Sequence, residues 1–89
     1  MLDGGDARPR FTARQGQYLA FIHLYTLLNR LPPAEADIQR FFRVSGPAVH
    51  QMIVTLTGAG LIARQPGAAR SIRVLVDRQD LPELLPVER

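Results

Sequence analysis

Proline and glycine placement constrains this chain more than any other feature. Pro32-Pro33, Gly58-Ala59-Gly60 and Pro66-Gly67 punctuate an otherwise apolar-rich sequence, and each is a signal that ends one regular element and starts another. Ahead of the first break, Thr12 and Gln15 form a T-x-x-Q box, in which hydroxyl and amide reciprocally satisfy backbone N–H groups at a helix start. The spacing predicts a helix over about residues 13–30, with Tyr18, Phe21, Ile22, Tyr25 and Leu28 as its inward stripe and Pro32-Pro33 as its stop. A shorter helix is expected over about residues 34–42. Glu35 and Asp37 favour the positive end of its dipole, and Ile38, Phe41 and Phe42 form its apolar face.

Arg43-Val44-Ser45-Gly46 then reads as a tight turn into a third helix. Ser45 is a good N-cap, while Gly46 as cap would put Pro47 at the preferred first position; the sequence leaves both open. Val49, Met52, Ile53 and Leu56 make the inner face, and Gly58-Ala59-Gly60 terminates it. Two strands are expected at residues 61–65 and 71–76, joined by Pro66-Gly67-Ala68-Ala69. In the second, Ile72, Val74 and Val76 alternate with Ser71, Arg73 and Leu75. Asp80-Leu81-Pro82-Glu83 is a candidate last helical turn. Three helices followed by a β-hairpin wing define the expected fold class, an α+β, mostly α, winged helix-turn-helix whose third helix is the usual groove reader. The division is a flexible tail (1–10), the winged domain (11–76) and a C-terminal extension (77–89).

With 89 residues and no cysteine, the fold has neither disulfides nor thiolate-bound metal to support it. Packing, or a partner chain, must do so. The run from Tyr18 to Leu28 is interrupted by His23 and Thr26 and is short of the roughly 20 residues that a membrane span needs. With no apolar leader in residues 1–10, a cytoplasmic location is expected. The net charge is only +3, but its distribution is informative. No Asp or Glu occurs between Ile38 and Val76, whereas Arg40, Arg43, Arg64, Arg70 and Arg73 all lie there. A basic middle with acidic flanks is the pattern of a polyanion-binding surface. Genomic coding bias explains Arg in place of Lys, but not the missing acids.

F-T-A-R-Q-G-Q-Y-L-A-F-I, L-P-P-A-E-A-D-I-Q-R-F-F, S-G-P-A-V-H-Q-M-I-V-T-L-T-G-A-G-L-I and R-S-I-R-V-L together resemble the N-terminal DNA-binding domain of the LexA repressor family, from about Phe11 to about Leu75. The resemblance implies a bacterial transcriptional repressor with its third helix in the major groove of double-stranded DNA and its wing on the backbone. Base-facing positions run from the capping Ser through the second turn. Ser45 and Ala48 match the family there, while Pro47 replaces an Asn, His50 and Gln51 replace two Glu, and Val54 replaces a Lys. Ala34 replaces the usual Thr cap of the second helix. The fold therefore carries over, but the operator sequence does not. The family's Ser-Lys protease dyad does not transfer, since the chain holds no Lys.

The candidate DNA contacts are Ser45, Pro47, Ala48, His50 and Gln51 on the third helix, with Arg40, Arg43, Arg64, Arg70 and Arg73 on phosphates. Gln pairs with adenine, and His donates to guanine or phosphate; outward wing arginines reach the backbone. The blander alternatives are solvated surface residues and a charged strand edge. Arg8 and Arg10 are candidates for a minor-groove arm, or simply a tail. The aromatic residues Phe11, Tyr18, Phe21, Tyr25, Phe41 and Phe42 read as core. The two histidines lie on different helices, and no phosphate loop, metal-ligand cluster or apolar carboxylate pair occurs, so no catalysis, cofactor, metal or small-molecule ligand is expected. The competing class is a winged-helix protein-interaction module. A second stripe on the first helix, Ala20, Leu24, Leu27 and Leu31, has coiled-coil-like spacing and suggests a homodimer. Leu81, Leu84 and Leu85 covering that stripe within one chain is the alternative.

Overall fold

The computed structural model describes residues 10–87. The element order is α1 (Ala13–Asn29), α2 (Glu35–Phe42), α3 (Gly46–Gly58), β1 (Ile62–Ala63), β2 (Arg73–Val74) and a 3-10 turn at Arg78–Asp80. The two strands pair antiparallel, Ile62 with Val74 and Ala63 with Arg73. This is the winged helix-turn-helix expected from the sequence. The tail read over residues 1–10, with Arg8, lies outside the described residues except for Arg10, which is exposed.

Each helix begins as its first residues dictate. Thr12 caps α1, its Oγ1 accepting from Gln15 N at 3.0 Å while Gln15 Oε1 accepts from Thr12 N at 2.9 Å. Of the two caps open for α3, Ser45 is the one used, and its Oγ accepts from Ala48 N at 3.2 Å. Helix α2 begins one residue later than expected, because Ala34 takes the cap position. Its methyl group accepts nothing, so only half of a capping box forms: Asp37 Oδ2 accepts from Ala34 N at 2.8 Å.

The three helices and hairpin close over a core of Tyr18, Leu19, Ile22, Ile38, Phe42, Val49, Ile53, Leu56, Leu61, Ile62 and Ile72. Tyr18 and Phe42 stack with ring centroids 4.3 Å apart, and Phe21 and Phe41 stack at 4.6 Å. The aromatic residues thus tie α1 to α2, with Phe11, Tyr25 and Phe41 partly buried at the margin.

Two expectations about α1 are corrected. Leu28, placed on the inward stripe, is 78% exposed. The buried residues of α1 stop at Ile22, and the last turns overhang the body. Ala20, placed in the dimer stripe, is only 3% exposed and belongs to the interior of one chain. The cause is residues 81–87, which pack back along α1. Gln17 fastens them, donating from Nε2 to Glu83 O at 2.9 Å and accepting from Leu85 N at 2.8 Å. Pro82 and Phe11 crowd Gly16 so closely that a Cβ there would lie 3.0 Å from each. Leu81 and Leu84 join the core margin while Leu85 stays exposed. The described part of the C-terminal extension is thus packed onto the winged domain.

The strands are shorter than read. Beyond the two paired positions, only Leu75 N to Leu61 O, at 2.9 Å, extends the ladder toward the helices. Toward the tip, the Ser71 hydroxyl substitutes for backbone pairing. It accepts from Gln65 N at 2.9 Å and lies within hydrogen-bond distance of Gln65 O at 3.2 Å and Ala68 O at 3.0 Å. Side-chain bonds of this kind compete directly with a strand ladder.

Candidate nucleic-acid interface

Helix α3 presents two faces of different character. Val49, Ile53 and Leu56 are fully buried, so the helix is rigidly seated. Pro47, Ala48, Gln51, Val54 and Thr55 are exposed, and three- and four-residue steps put them on one side of the helix. Ser45, at its start, is exposed although its hydroxyl is committed to capping.

The charged candidates divide into engaged and outlying groups. Glu35, at the first turn of α2, lies between His50 Nδ1 at 3.5 Å and Arg64 Nη1 at 3.2 Å. It joins α2, α3 and the base of the wing. Arg40 reaches Asp37 at 3.2 Å, but its side chain remains mostly exposed. Arg43 and Arg73 are exposed, and no ion pair to either forms among the described residues.

Arg70 differs most from its expected place. It stands at the wing tip in a left-handed backbone conformation, φ 55°, which a non-glycine residue adopts at a cost. Its guanidinium turns inward, 3.1 Å from Asp37, 3.2 Å from the Tyr25 hydroxyl and 3.4 Å from Pro32 O. The group expected on phosphate instead latches the wing to α1 and α2. Asp37 thus serves the cap of α2 and the latch together. Its pKa lies below the ordinary carboxyl value, first because of the Ala34 N–H bond, then through Arg70, Arg40 and Tyr25, with burial opposing.

Sequence reasoning missed Glu35, Asp37 and Tyr25 as partners of these arginines. Glu35 and Asp37 were visible only as helix-start charges. The signal available was that they are the nearest acids to a stretch that has none. Among the described residues, no group of three metal-ligating side chains occurs, and no helix is long and apolar enough to cross a membrane.

A three-helix unit with an exposed third helix, a capping serine at its start and a hairpin wing beside it is a winged helix-turn-helix domain. No protein-family profile matches the sequence. The chain is 34% identical over 79 residues to the LexA repressor of Thermosipho melanesiensis. That alignment spans 89% of this chain and 39% of the repressor. The chain is therefore similar to one part of a LexA repressor and spans about two-fifths of its length.

Proposed function

We infer that the chain binds double-stranded DNA in a sequence-specific manner as a transcriptional regulator, without catalysing a reaction. The third helix enters the major groove and the wing lies along the backbone. The observation that carries this reading is the exposed outer face of α3, with Arg43 just before it and Arg73 on the wing, in a stretch without acids from Ile38 to Val76. Similarity to a protein named as a repressor supports it. Arg43, Arg73 and Arg40 are the leading phosphate ligands. Arg64 contributes less because Glu35 neutralises it, and Arg70 acts by holding the wing.

The test is titration of the chain with mixed duplex DNA at several salt concentrations. Neutralised phosphates release counterions, so log affinity should fall with log salt at a slope of about −0.9 per contact. Three committed arginines predict a slope of roughly −3 on that rule. Tight binding with a flat salt response, or no binding at low salt, would overturn the reading in favour of a protein-interaction module.

A homodimer belongs to the same proposal. With Ala20 inside the monomer, Leu24, Leu27 and Leu31 remain of that stripe, and the exposed Leu28 joins them. Leu27 is 62% exposed and Leu31 is 41% exposed. Leu24, Leu27 and Leu28 lie near the end of α1 and Leu31 just past its cap, and together they are an apolar patch that water disfavours. A two-fold pair would present two reading helices to one face of the duplex and select a near-palindromic operator. Sedimentation should show a dimer at high concentration. Leu27→Glu combined with Leu31→Glu should give a monomer with unchanged unfolding, because both side chains lie outside the core. A wild-type monomer at high concentration would remove the dimer from the proposal.

A further inference from the structure

We propose that α3 reads A·T base pairs, with Gln51 on adenine and Val54 and Ala48 on thymine methyl groups. The proposal rests on the docking of α3 in the major groove argued above. Its origin is the chemistry of the exposed face. Gly46–Gly58 contains no Arg, Lys, Asp or Glu. Recognition of guanine through O6 and N7 ordinarily needs Arg or Lys, and the cytosine amino group is read by a carboxylate. Neither group is available from this helix. Its one titratable side chain, His50, is 56% exposed and has Nδ1 3.5 Å from Glu35 on α2, so the guanine-reading alternative on this helix rests on His50 alone.

Beside the Thr55 hydroxyl, which pairs with bases of either kind, the face offers one amide flanked by methyl groups. Gln51 is exposed, and its amide both donates and accepts, matching adenine N7 and N6. Ala48 and Val54 lie three residues to either side of it, so they share its face one turn away. Val54 is 44% exposed although its neighbour Ile53 is fully buried. A valine outward on a helix has neither packing nor helix propensity to recommend it. In the major groove, only thymine presents a methyl group, and apolar side chains are its complement. The pattern methyl, amide, methyl along α3 therefore fits an adenine bordered by thymines.

Selection from a pool of duplexes with a randomised centre should yield sites whose major-groove positions under α3 are A·T pairs. In a selected duplex, thymine is then replaced by uracil, which lacks only the methyl group. At the thymine facing Val54, the wild-type chain should lose affinity about fourfold, the factor that one buried methyl-sized group is worth. Val54→Ala should start weaker and lose clearly less at that position, while keeping the wild-type unfolding midpoint. Gln51→Ala should relax preference at the adenine by about tenfold or more. Selected sites dominated by G·C pairs would assign the reading to Arg43 or Arg73 and overturn the proposal, as would indifference to uracil at every thymine. Binding to all duplexes alike would overturn it while leaving the DNA-binding reading intact. Failure to bind any duplex in the pool would remove both.

Discussion

Ile53→Ala is expected to cost about 2–5 kcal/mol of folding stability, while Val54→Ala, one residue away, should change it by about 0.5 kcal/mol or less. Ile53 has no exposed surface and belongs to the single core shared by α3, α1 and the hairpin. Its removal forfeits the transfer of its methyl groups and leaves a cavity that surrounding helices fill only in part. A domain of this size has a stability on the order of 5–10 kcal/mol, so this one change claims a large fraction of the total. The consequence extends to recognition. Val49 and Leu56 seat the same helix, and a loosened seat lets the outer face of α3 shift relative to the wing. Denaturant unfolding of the two variants makes the comparison directly. Equal midpoints would mean that α3 is not anchored through Ile53, and the rigid placement of its outer face would lose its basis.

That contrast between neighbours was legible in the sequence, because helical periodicity alone puts Val49, Ile53 and Leu56 on one side and Gln51 on the other. Caps and breaks were legible for the same local reason. Thr12 with Gln15, Ser45 and the Pro32-Pro33 pair act on backbone groups within a few residues. What periodicity could not give was the third dimension of the helix ends. Leu28 repeats the inward spacing of Tyr18 and Tyr25, yet the neighbours that would cover it do not extend that far. Ala20 repeats the spacing of Leu24 and Leu27, yet residues 81–87 return from the far end of the chain to cover it. Both depend on where distant segments lie. The wing was similarly half legible. Its turn and strand pattern were visible, but the Ser71 hydroxyl that shortens the ladder and the inward turn of Arg70 depend on contacts across up to 45 residues. The charges misled for one further reason. An arginine in a stretch without acids looks available to phosphate, and Arg64 and Arg70 instead meet the two carboxylates at the start of α2.

Those carboxylates make Asp37 the most consequential polar position. Asp37→Ala should destabilise the domain by roughly 2 kcal/mol, combining a lost helix cap with hydrogen-bond donors left unpartnered. Its side chain is 13% exposed, whereas those of Arg70 and Arg40 are 40% and 73% exposed. Solvent therefore screens both ion pairs, and the cap and hydrogen bonds dominate. Asp37→Asn keeps an oxygen for Ala34 N but loses the charge, so it should cost less and report the electrostatic part alone. The sign of the pH dependence follows from the direction of the shift. Asp37 has a lower pKa folded than unfolded, so it binds a proton more readily in the unfolded chain. The stability it confers is complete above its unfolded pKa, near 4, and is lost as pH falls through the lower folded value. Acid unfolding of the wild type should therefore carry a component below about pH 4 that Asp37→Asn removes. The latch adds a second readout. Amide exchange at Gln65 and Ala68 should accelerate in Asp37→Ala and in Arg70→Ala alike, and the double variant should be no faster than either single one. Wing amides that exchange at wild-type rates in both variants would show that Arg70 does not hold the wing, and would return it to the list of phosphate ligands.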